Sequence, residues 1–333
     1  MDLTTDYMGW ELKNPLVIGA SPLSDDVDMI RRLVDAGASA VVMHSLFTEQ
    51  LVREQMAAHR EMDFLSDSNA EGLSYFPDAE DYALGPDAYL EQVARLKAAV
   101  DVPVIGSLNG IAAGDWTRWA KLIADAGADG LELNVYYLPV DVDEPPDAVE
   151  QRFLDVLTQV KAQCDLPISM KLTSFFSSPV HMVRRLEQAG ATGAVLFNRI
   201  FQPDIDIEEL EIQPALSLSD PSLLKMRLLW LAAMFGRVDL SLIASGGVHS
   251  AEDVIKAVMA GASAVQMTSA LLSGGPDHLS AVLKALEDWM VEREYDSLRQ
   301  MRGSMSLLRC PDPEGYERAN YIRTLQRWHI SQR

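Results

Sequence analysis

The feature that most constrains this chain is a pair of short phrases that alternate along it. The first recurs as DAGASAVVMHS at 35–45, DAGADGLELN at 125–134, QAGATGAVLFN at 188–198 and MAGASAVQMTS at 259–269. Each opens on Ala-Gly-Ala, where glycine can end a helix in a left-handed conformation. A short apolar run follows, which reads as a buried strand. The second phrase falls between these, as NPLVIGAS at 14–21, DVPVIGSLN at 101–109, DLPISMKLT at 165–173 and DLSLIASGG at 239–247. Three of these four carry Pro just before or at the first strand residue, where its missing N–H costs little.

Together the phrases predict eight strands, centred near residues 17, 42, 105, 132, 169, 196, 243 and 266. Amphipathic stretches at 25–36, 87–99, 114–126, 146–163, 178–189, 221–235 and 250–260 lie between them as helices. Helices between parallel strands make right-handed βαβ units. Eight units with a two-unit repeat predict a closed α/β (β/α)8 TIM barrel rather than an open doubly wound sheet. Residues 1–333 are read as one domain, with a barrel core at 14–292 and a helical tail at 293–333. The tail is rich in Arg and aromatic residues and is expected to pack outside the barrel as a cap or dimer contact. Long connections at 46–86 and 199–220 leave the C-terminal ends of strands two and six, where barrels build their sites.

Composition removes several function classes. A formal charge of -21 disfavours nucleic acid and anionic membranes as partners. No run approaches ~20 apolar residues, so a membrane-spanning helix is not expected. The opening MDLTTDYMGW carries neither a basic start nor an apolar segment, so no signal peptide is expected. Cys164 and Cys310 are too few and too distant for a disulfide framework or a metal cage, and a reducing cytoplasm is the simplest setting.

The expected strands end on polar residues: Ala20-Ser21, His44-Ser45, Asn109, Asn134 with Tyr136-Tyr137, Lys171, Asn198, Ser245-Gly246-Gly247 and Thr268-Ser269. Such a ring of polar ends is what a lined pocket requires. Strands seven and eight, ending ASGGV and QMTSA, occupy the positions where barrels bind phosphate. Gly246 and Gly247 let backbone N–H groups approach an oxyanion, and Thr268 and Ser269 add donors. Lys171 lies inside the apolar strand MKLT, and a buried ammonium needs a partner. The negative N1–C2 edge of a reduced flavin is one such partner; Glu132 in the neighbouring strand is the other.

At this point the chain resembles the dihydroorotate dehydrogenases, most closely the soluble class 1 enzymes, over roughly residues 3–305. The resemblance rests on NPLVIGAS, SNAEGL at 68–73, ELN at 132–134, the Lys of MKL, and ASGGV followed by AVQMTSAL. It implies flavin mononucleotide (FMN) as cofactor, with Ala20, Ser21 and Ser45 beside it, Asn109 and Asn134 bonding it or the substrate, and Lys171 on the ring's N1 side. Gly246, Gly247, Thr268 and Ser269 would hold its phosphate, and Asn69, Asn134 and Asn198 the substrate ring. It further implies pyrimidine biosynthesis, a homodimer, a small-molecule substrate and a soluble electron acceptor, because the quinone-linked class has an N-terminal extension lacking here. With no iron–sulfur cysteine cluster, any such centre would belong to a redox partner subunit.

Three departures stand against the family pattern. Where its active-site loop reads Asn-Leu-Ser-Cys-Pro-Asn, this chain has Asn134-Val135-Tyr136-Tyr137-Leu138-Pro139, with Tyr137 at the position of the proton-abstracting Cys or Ser. A phenol titrates near ~10 and a thiol near ~8.5, so tyrosine suits acid work better than base work. His44 replaces a Lys, and ALSLSD at 215–220 replaces a Gly-rich turn, leaving Ser217 and Ser219 as donors. Two readings follow. One is an FMN oxidoreductase that moves a hydride between a CH–CH group of dihydroorotate, or a related small molecule, and flavin N5. Tyr137 or Tyr136 would then carry the paired proton, and His44 or Asn134 would polarise the substrate. The alternative is a flavin-binding electron carrier or redox-complex subunit without dihydroorotate turnover, its tyrosines stacked over the pocket.

Overall fold

In the computed structural model of the chain the described residues are 1–47, 85–110, 116–199, 203–213 and 217–330. An N-terminal hairpin, β1 (Thr5–Tyr7) and β2 (Trp10–Leu12), precedes the barrel strands β3 (Leu16–Ile18), β4 (Ala40–Phe47), β5 (Val104–Gly110), β6 (Gly130–Val135), β7 (Ile168–Leu172) and β8 (Gly193–Leu196). A second hairpin, β9 (Asp204–Asp206) and β10 (Glu211–Gln213), comes before the last barrel strands, β11 (Ser241–Ser245) and β12 (Ala264–Met267). The eight barrel strands close on themselves in the order β11-β12-β3-β4-β5-β6-β7-β8, all parallel. Every strand expected from the repeat is present and takes the place in the barrel that its order in the chain gives it.

The helices are α1 (Val27–Asp35), α2 (Pro86–Ala99), α3 (Trp116–Asp125), α4 (Pro146–Lys161), α5 (Pro179–Gln188), α6 (Leu224–Met234), α7 (Ala251–Ala260) and α8 (Ser269–Glu292). Their starts are encoded locally. Asp26 accepts from the Asp28 and Met29 amides, and Ser250 and Asp253 form a reciprocal capping box. Proline opens α2, α4 and α5, where its missing N–H has no intrahelical partner to lose. The glycines of the repeated Ala-Gly-Ala end α1, α3, α5 and α7 at φ of 116°, 101°, 97° and 129°. The repeat therefore works as read, a helix stop joined to a buried strand.

Two apolar layers result. The outer one lies between strands and helices, with Trp116, Phe153, Leu186 and Leu286 fully buried. The inner one joins the inward-facing Val17, Ala40, Val42, Ile105, Val195, Ile243 and Ala264 to Tyr7, Met8 and Leu12 of the N-terminal hairpin. Thr5 Oγ1 donates to the Ser263 carbonyl at 2.7 Å, and the Met8 amide donates to Ser241 Oγ at 2.9 Å, both at the entry to the last two strands. The hairpin thus plugs the N-terminal mouth of the barrel and leaves the C-terminal mouth to the site.

In the connection after β8 the described residues 203–213 carry the β9–β10 hairpin, which exposes Ile205, Ile207, Leu210 and Ile212. The tail runs over the outside of the barrel: Leu298 and Met301 of α9 (Leu298–Met301) are buried, and the Gly303 and Met305 amides donate to carbonyls of α7. Beyond it, α10 (Pro313–Ile330) is exposed along most of its length. Among the described residues, no helix is long and apolar enough to cross a membrane, and no group of three or more His, Cys, Asp or Glu is placed to hold a metal.

Candidate active site

The strand register stacks the expected residues in rows. Ser45, Ser107, Glu132 and Ser169 are partners across β4, β5, β6 and β7. One step toward the open mouth is register Phe47, Asn109 and Asn134, then Lys171 on β7. In the lower row Ser45 and Ser107 share a hydroxyl hydrogen bond of 2.8 Å. Lys171 Nζ donates to Glu132 Oε1 at 3.1 Å, while Gln266 Nε2 donates to Glu132 Oε2 at 2.5 Å. Glu132 is fully buried and the Lys171 side chain only 11% exposed. Of the two partners open to Lys171 in the sequence, the structure shows Glu132.

On the neighbouring arc, β11 and β12 build a cradle. Gly246 and Gly247 have φ of 87° and 84°, in the left-handed region that favours glycine. A Cβ on Gly247 would fall 2.5 Å from the Leu224 amide nitrogen, and one on Gly246 would fall 3.1 Å from Arg227 Nη2. The buried Arg227 fastens this turn, donating to the carbonyls of Ser245 and Leu223 at 2.9 and 2.8 Å. Burial holds its guanidinium below the usual value. Ser219 closes the ring: its amide and its hydroxyl each donate to Ser269 Oγ at 2.9 Å. The Gly247 amide points to Ser219 Oγ at 3.5 Å. Thr268 is at the start of α8, and a Cβ on Gly19 would meet its Oγ1 at 2.4 Å. Ser219, Ser269 and Gly247 are thus tied together by hydrogen bonds, with Gly246 and Thr268 next to them in the chain, and ALSLSD contributes through Ser219. Beside it, just after β3, which pairs with β12, the hydroxyl of buried Ser21 has no hydrogen-bond partner among the described residues.

A separate pocket opens over β6, β7 and β8, lined by Val135, Tyr136, Tyr137, Leu138, Thr173, Phe175 and Asn198. Asn198 Nδ2 donates to Asn134 Oδ1 at 3.0 Å, so two of the three expected ring-binding asparagines meet here. Asn69, the third, lies outside the described residues, as does most of the connection after β4. Tyr137 forms one wall. Its hydroxyl donates to Glu144 Oε2 at 2.5 Å, and the Arg152 guanidinium stacks 4.3 Å from the ring centroid. Arg152 in turn donates twice to Glu144 Oε1, at 3.1 and 2.8 Å. The bond to Glu144 pushes the Tyr137 phenol above its usual value.

His44 has different company from the asparagines. The ladder shifts register between Val42 and Ser45, and the His44 ring lies edge-on to Tyr89, centroids 5.0 Å apart. Its Nδ1 is 2.6 Å from Asp25 Oδ1, and its amide donates to Ser24 Oγ at 2.9 Å. Burial lowers the imidazole pKa and outweighs the opposing pull of Asp25. Sequence reasoning missed Asp25, Ser107, Gln266, Arg227 and the Glu144–Arg152 pair. Gln266 and Ser107 carried a usable signal, polar residues on the inward parity of barrel strands, and the others carried none.

The chain matches the family described as "Dihydroorotate dehydrogenase" over residues 2–290. It belongs to the dihydroorotate dehydrogenase family. It is 27% identical over 314 residues to the dihydroorotate dehydrogenase B (NAD(+)) catalytic subunit of Thermoplasma acidophilum, covering 91% of this chain and 98% of that one. The corresponding subunit of Methanothermobacter thermautotrophicus is 25% identical over 316 residues, 90% of this chain and 97% of the relative. Similarity extends to the NAD-dependent dihydropyrimidine dehydrogenase subunit PreA of Escherichia coli, at 22% over 325 residues, 91% of this chain and 76% of the relative. As a dihydroorotate dehydrogenase family member the chain is an oxidoreductase acting on CH–CH groups. The family's barrel is the fold observed, and two of the three positions read from the sequence as departures, Tyr137 and His44, have carboxylate neighbours, Glu144 and Asp25.

Proposed function

We propose that this family member binds FMN across the C-terminal mouth of the barrel and exchanges a hydride with a small ring bound over β6–β8. The observation that carries the reading is the cradle at Gly246, Gly247, Ser219, Thr268 and Ser269 beside the Asn134–Asn198 pair on the same barrel end. The residues present fit the group. The glycine turn at the end of β11 has the left-handed φ that lets successive backbone N–H groups face a phosphate, and the Ser21 hydroxyl after β3 is left without a partner among the described residues. Ala20, Ser45, Asn109 and Asn134 border the same space by strand order, and Lys171 is held by Glu132 one row beneath it.

Bound there, FMN supplies two-electron chemistry at its N5. The chain's residues do the rest. Asn134 and Asn198 orient the substrate ring through their amides, and Tyr136, Tyr137 and Phe175 flank it. Tyr137 or Tyr136 carries the paired proton; the Tyr137 hydroxyl is held by Glu144, which pushes its phenol above the usual value. His44 acts from the side as a neutral imidazole beside Asp25 rather than as the fixed cation a Lys would be.

The relatives' names include a catalytic subunit and a subunit of a dehydrogenase, which supports a redox partner subunit. The reading without dihydroorotate turnover stays in view because of that same Tyr137–Glu144 bond at the family's base position. An anaerobic titration of the FMN-loaded protein with dihydroorotate, followed at the visible flavin band, separates the two. Bleaching within catalytic time supports dihydroorotate chemistry with a tyrosine in place of the base. An unchanged band with flavin bound rejects that substrate, and failure to take up FMN rejects the cofactor.

A further inference from the structure

We propose that the tail helix α10 of one copy of this chain docks on the β9–β10 hairpin of a second copy. The contact owes nothing to the flavin reading, and its helix lies beyond residue 290, where the family match ends. Both elements are left uncovered. The hairpin exposes Ile205, Ile207, Leu210 and Ile212, and Ile205 and Ile212 are cross-strand partners, so they share one face. A two-stranded hairpin is marginal in water unless a helix or a further strand covers it. Helix α10 exposes Tyr316, Tyr321, Ile322 and Leu325, and none of its described side chains is buried. Tyr321, Ile322 and Leu325 follow Arg318 at spacings of three, four and seven, which puts them on one stripe of the helix. Helices in proteins draw most of their stability from packing such a stripe.

Charge names the occupant. Residues 203–213 hold Asp204, Asp206, Glu208, Glu209 and Glu211 and no basic residue. Asp206 and Glu211 are directly opposite in the ladder, where like charges are unfavourable. In a chain of net charge -21, residues 318–327 reverse the sign, with Arg318, Arg323 and Arg327 and no acidic residue. The Arg318 guanidinium lies 5.5 Å from the Tyr321 ring centroid, a cation at the margin of the apolar stripe. An apolar face bordered by acids thus has its complement in the same sequence. The helix of the same copy starts at the wrong end of the barrel. Its tail is fastened where α6 and α7 finish: the Gly303 and Met305 amides donate to the Val258 and Met259 carbonyls, and Leu308 packs over Gly236. Those helix ends are at the N-terminal mouth, whereas the hairpin leaves the C-terminal end of β8. A second copy brings the two together, and a two-fold pair makes the contact twice.

Sedimentation equilibrium of the full-length protein tests this. Arg318→Glu/Arg323→Glu/Arg327→Glu and Glu208→Lys/Glu209→Lys/Glu211→Lys are each expected to weaken self-association at least about tenfold. An equimolar mixture of the two variants should restore it, because every tail then meets a hairpin of opposite charge. Wild-type association should also weaken as salt is raised. A monomeric wild type, or association that neither variant weakens, overturns the proposal. A mixture that fails to associate also overturns it, because the tail then pairs with something other than a second copy's hairpin. Co-sedimentation with phosphatidylserine vesicles covers the other occupant of a basic helix. Vesicle binding lost in the arginine variant, with self-association intact, assigns the helix to a membrane surface and rejects the hairpin.

Discussion

Substituting Lys171 by Met probes the Lys171–Glu132 pair and, through it, the row of residues beneath the proposed flavin. At 3.1 Å the two charges attract by about 5 kcal/mol at an effective dielectric near ~20. That gross figure is offset by desolvation of both groups, since Glu132 is fully buried and Lys171 nearly so. Removing one partner is a different matter, because the desolvation of the other persists; such deletions cost ~3–5 kcal/mol. Gln266 still donates to Glu132 and Met preserves the aliphatic volume, so Lys171→Met is expected at the lower end, about 3 kcal/mol. The double variant Lys171→Met/Glu132→Gln removes both charges and should recover to within about 1 kcal/mol of wild type. Urea unfolding of the flavin-free proteins, with all four corners of the cycle measured, reads the coupling as a shift in midpoint at constant slope. A Lys171→Met cost below about 1 kcal/mol, or a double variant worse than either single one, would falsify the reading of this pair as a mutually dependent buried unit.

Three further outcomes follow from the site. Gly247→Ala, whose new Cβ would press on the Leu224 amide at a φ of 84°, is expected to yield folded protein that loses FMN on gel filtration. Retention of a full flavin band would place the phosphate elsewhere. Tyr136→Phe and Tyr137→Phe separate the two candidate proton carriers: the variant that loses the carrier should slow turnover by the ~10²–10⁴-fold typical of a lost acid–base group, and the other should cost less than about tenfold. Small losses in both variants would place the proton on another group. His44 has a folded pKa below its unfolded value of ~6.5, so the unfolded chain binds the extra proton first as pH falls. Its stabilising contribution is therefore full above about pH 6.5 and is lost as pH drops toward the lowered folded value. Thermal or urea midpoints of wild type minus His44→Gln should shrink over that window, and a difference that grows on acidification contradicts the assignment.

What the sequence discloses follows from where each residue lies relative to the repeat. Gly37, Gly127, Gly190 and Gly261 each end a helix and each precede a barrel strand, so one recurring tripeptide spells out half the connections and the parallel order. Polar residues closing those strands, such as Asn134 and Asn198, could be placed at one mouth because strand parity and strand direction are fixed by the same repeat. The N-terminal hairpin was not legible: three-residue strands carry no periodicity, and only the packed Tyr7, Met8 and Leu12 show that it plugs the barrel. Glu144 was hidden for a related reason, since DVDEPPD reads as a solvated acidic turn until Tyr137 and Arg152 fold onto it. Asp25 reaches His44 only through the register shift after Val42, which strand alternation does not anticipate. The scaffold is thus written in local repeats, and the groups that set the charge of the pocket are long-range or loop contacts that no repeat encodes. Tyr137 and His44 each have a carboxylate neighbour, whereas ALSLSD joins Ser269 through Ser219. Tyr137 and His44 are therefore better understood as members of two pairs, with Glu144 and Asp25, than as isolated side chains.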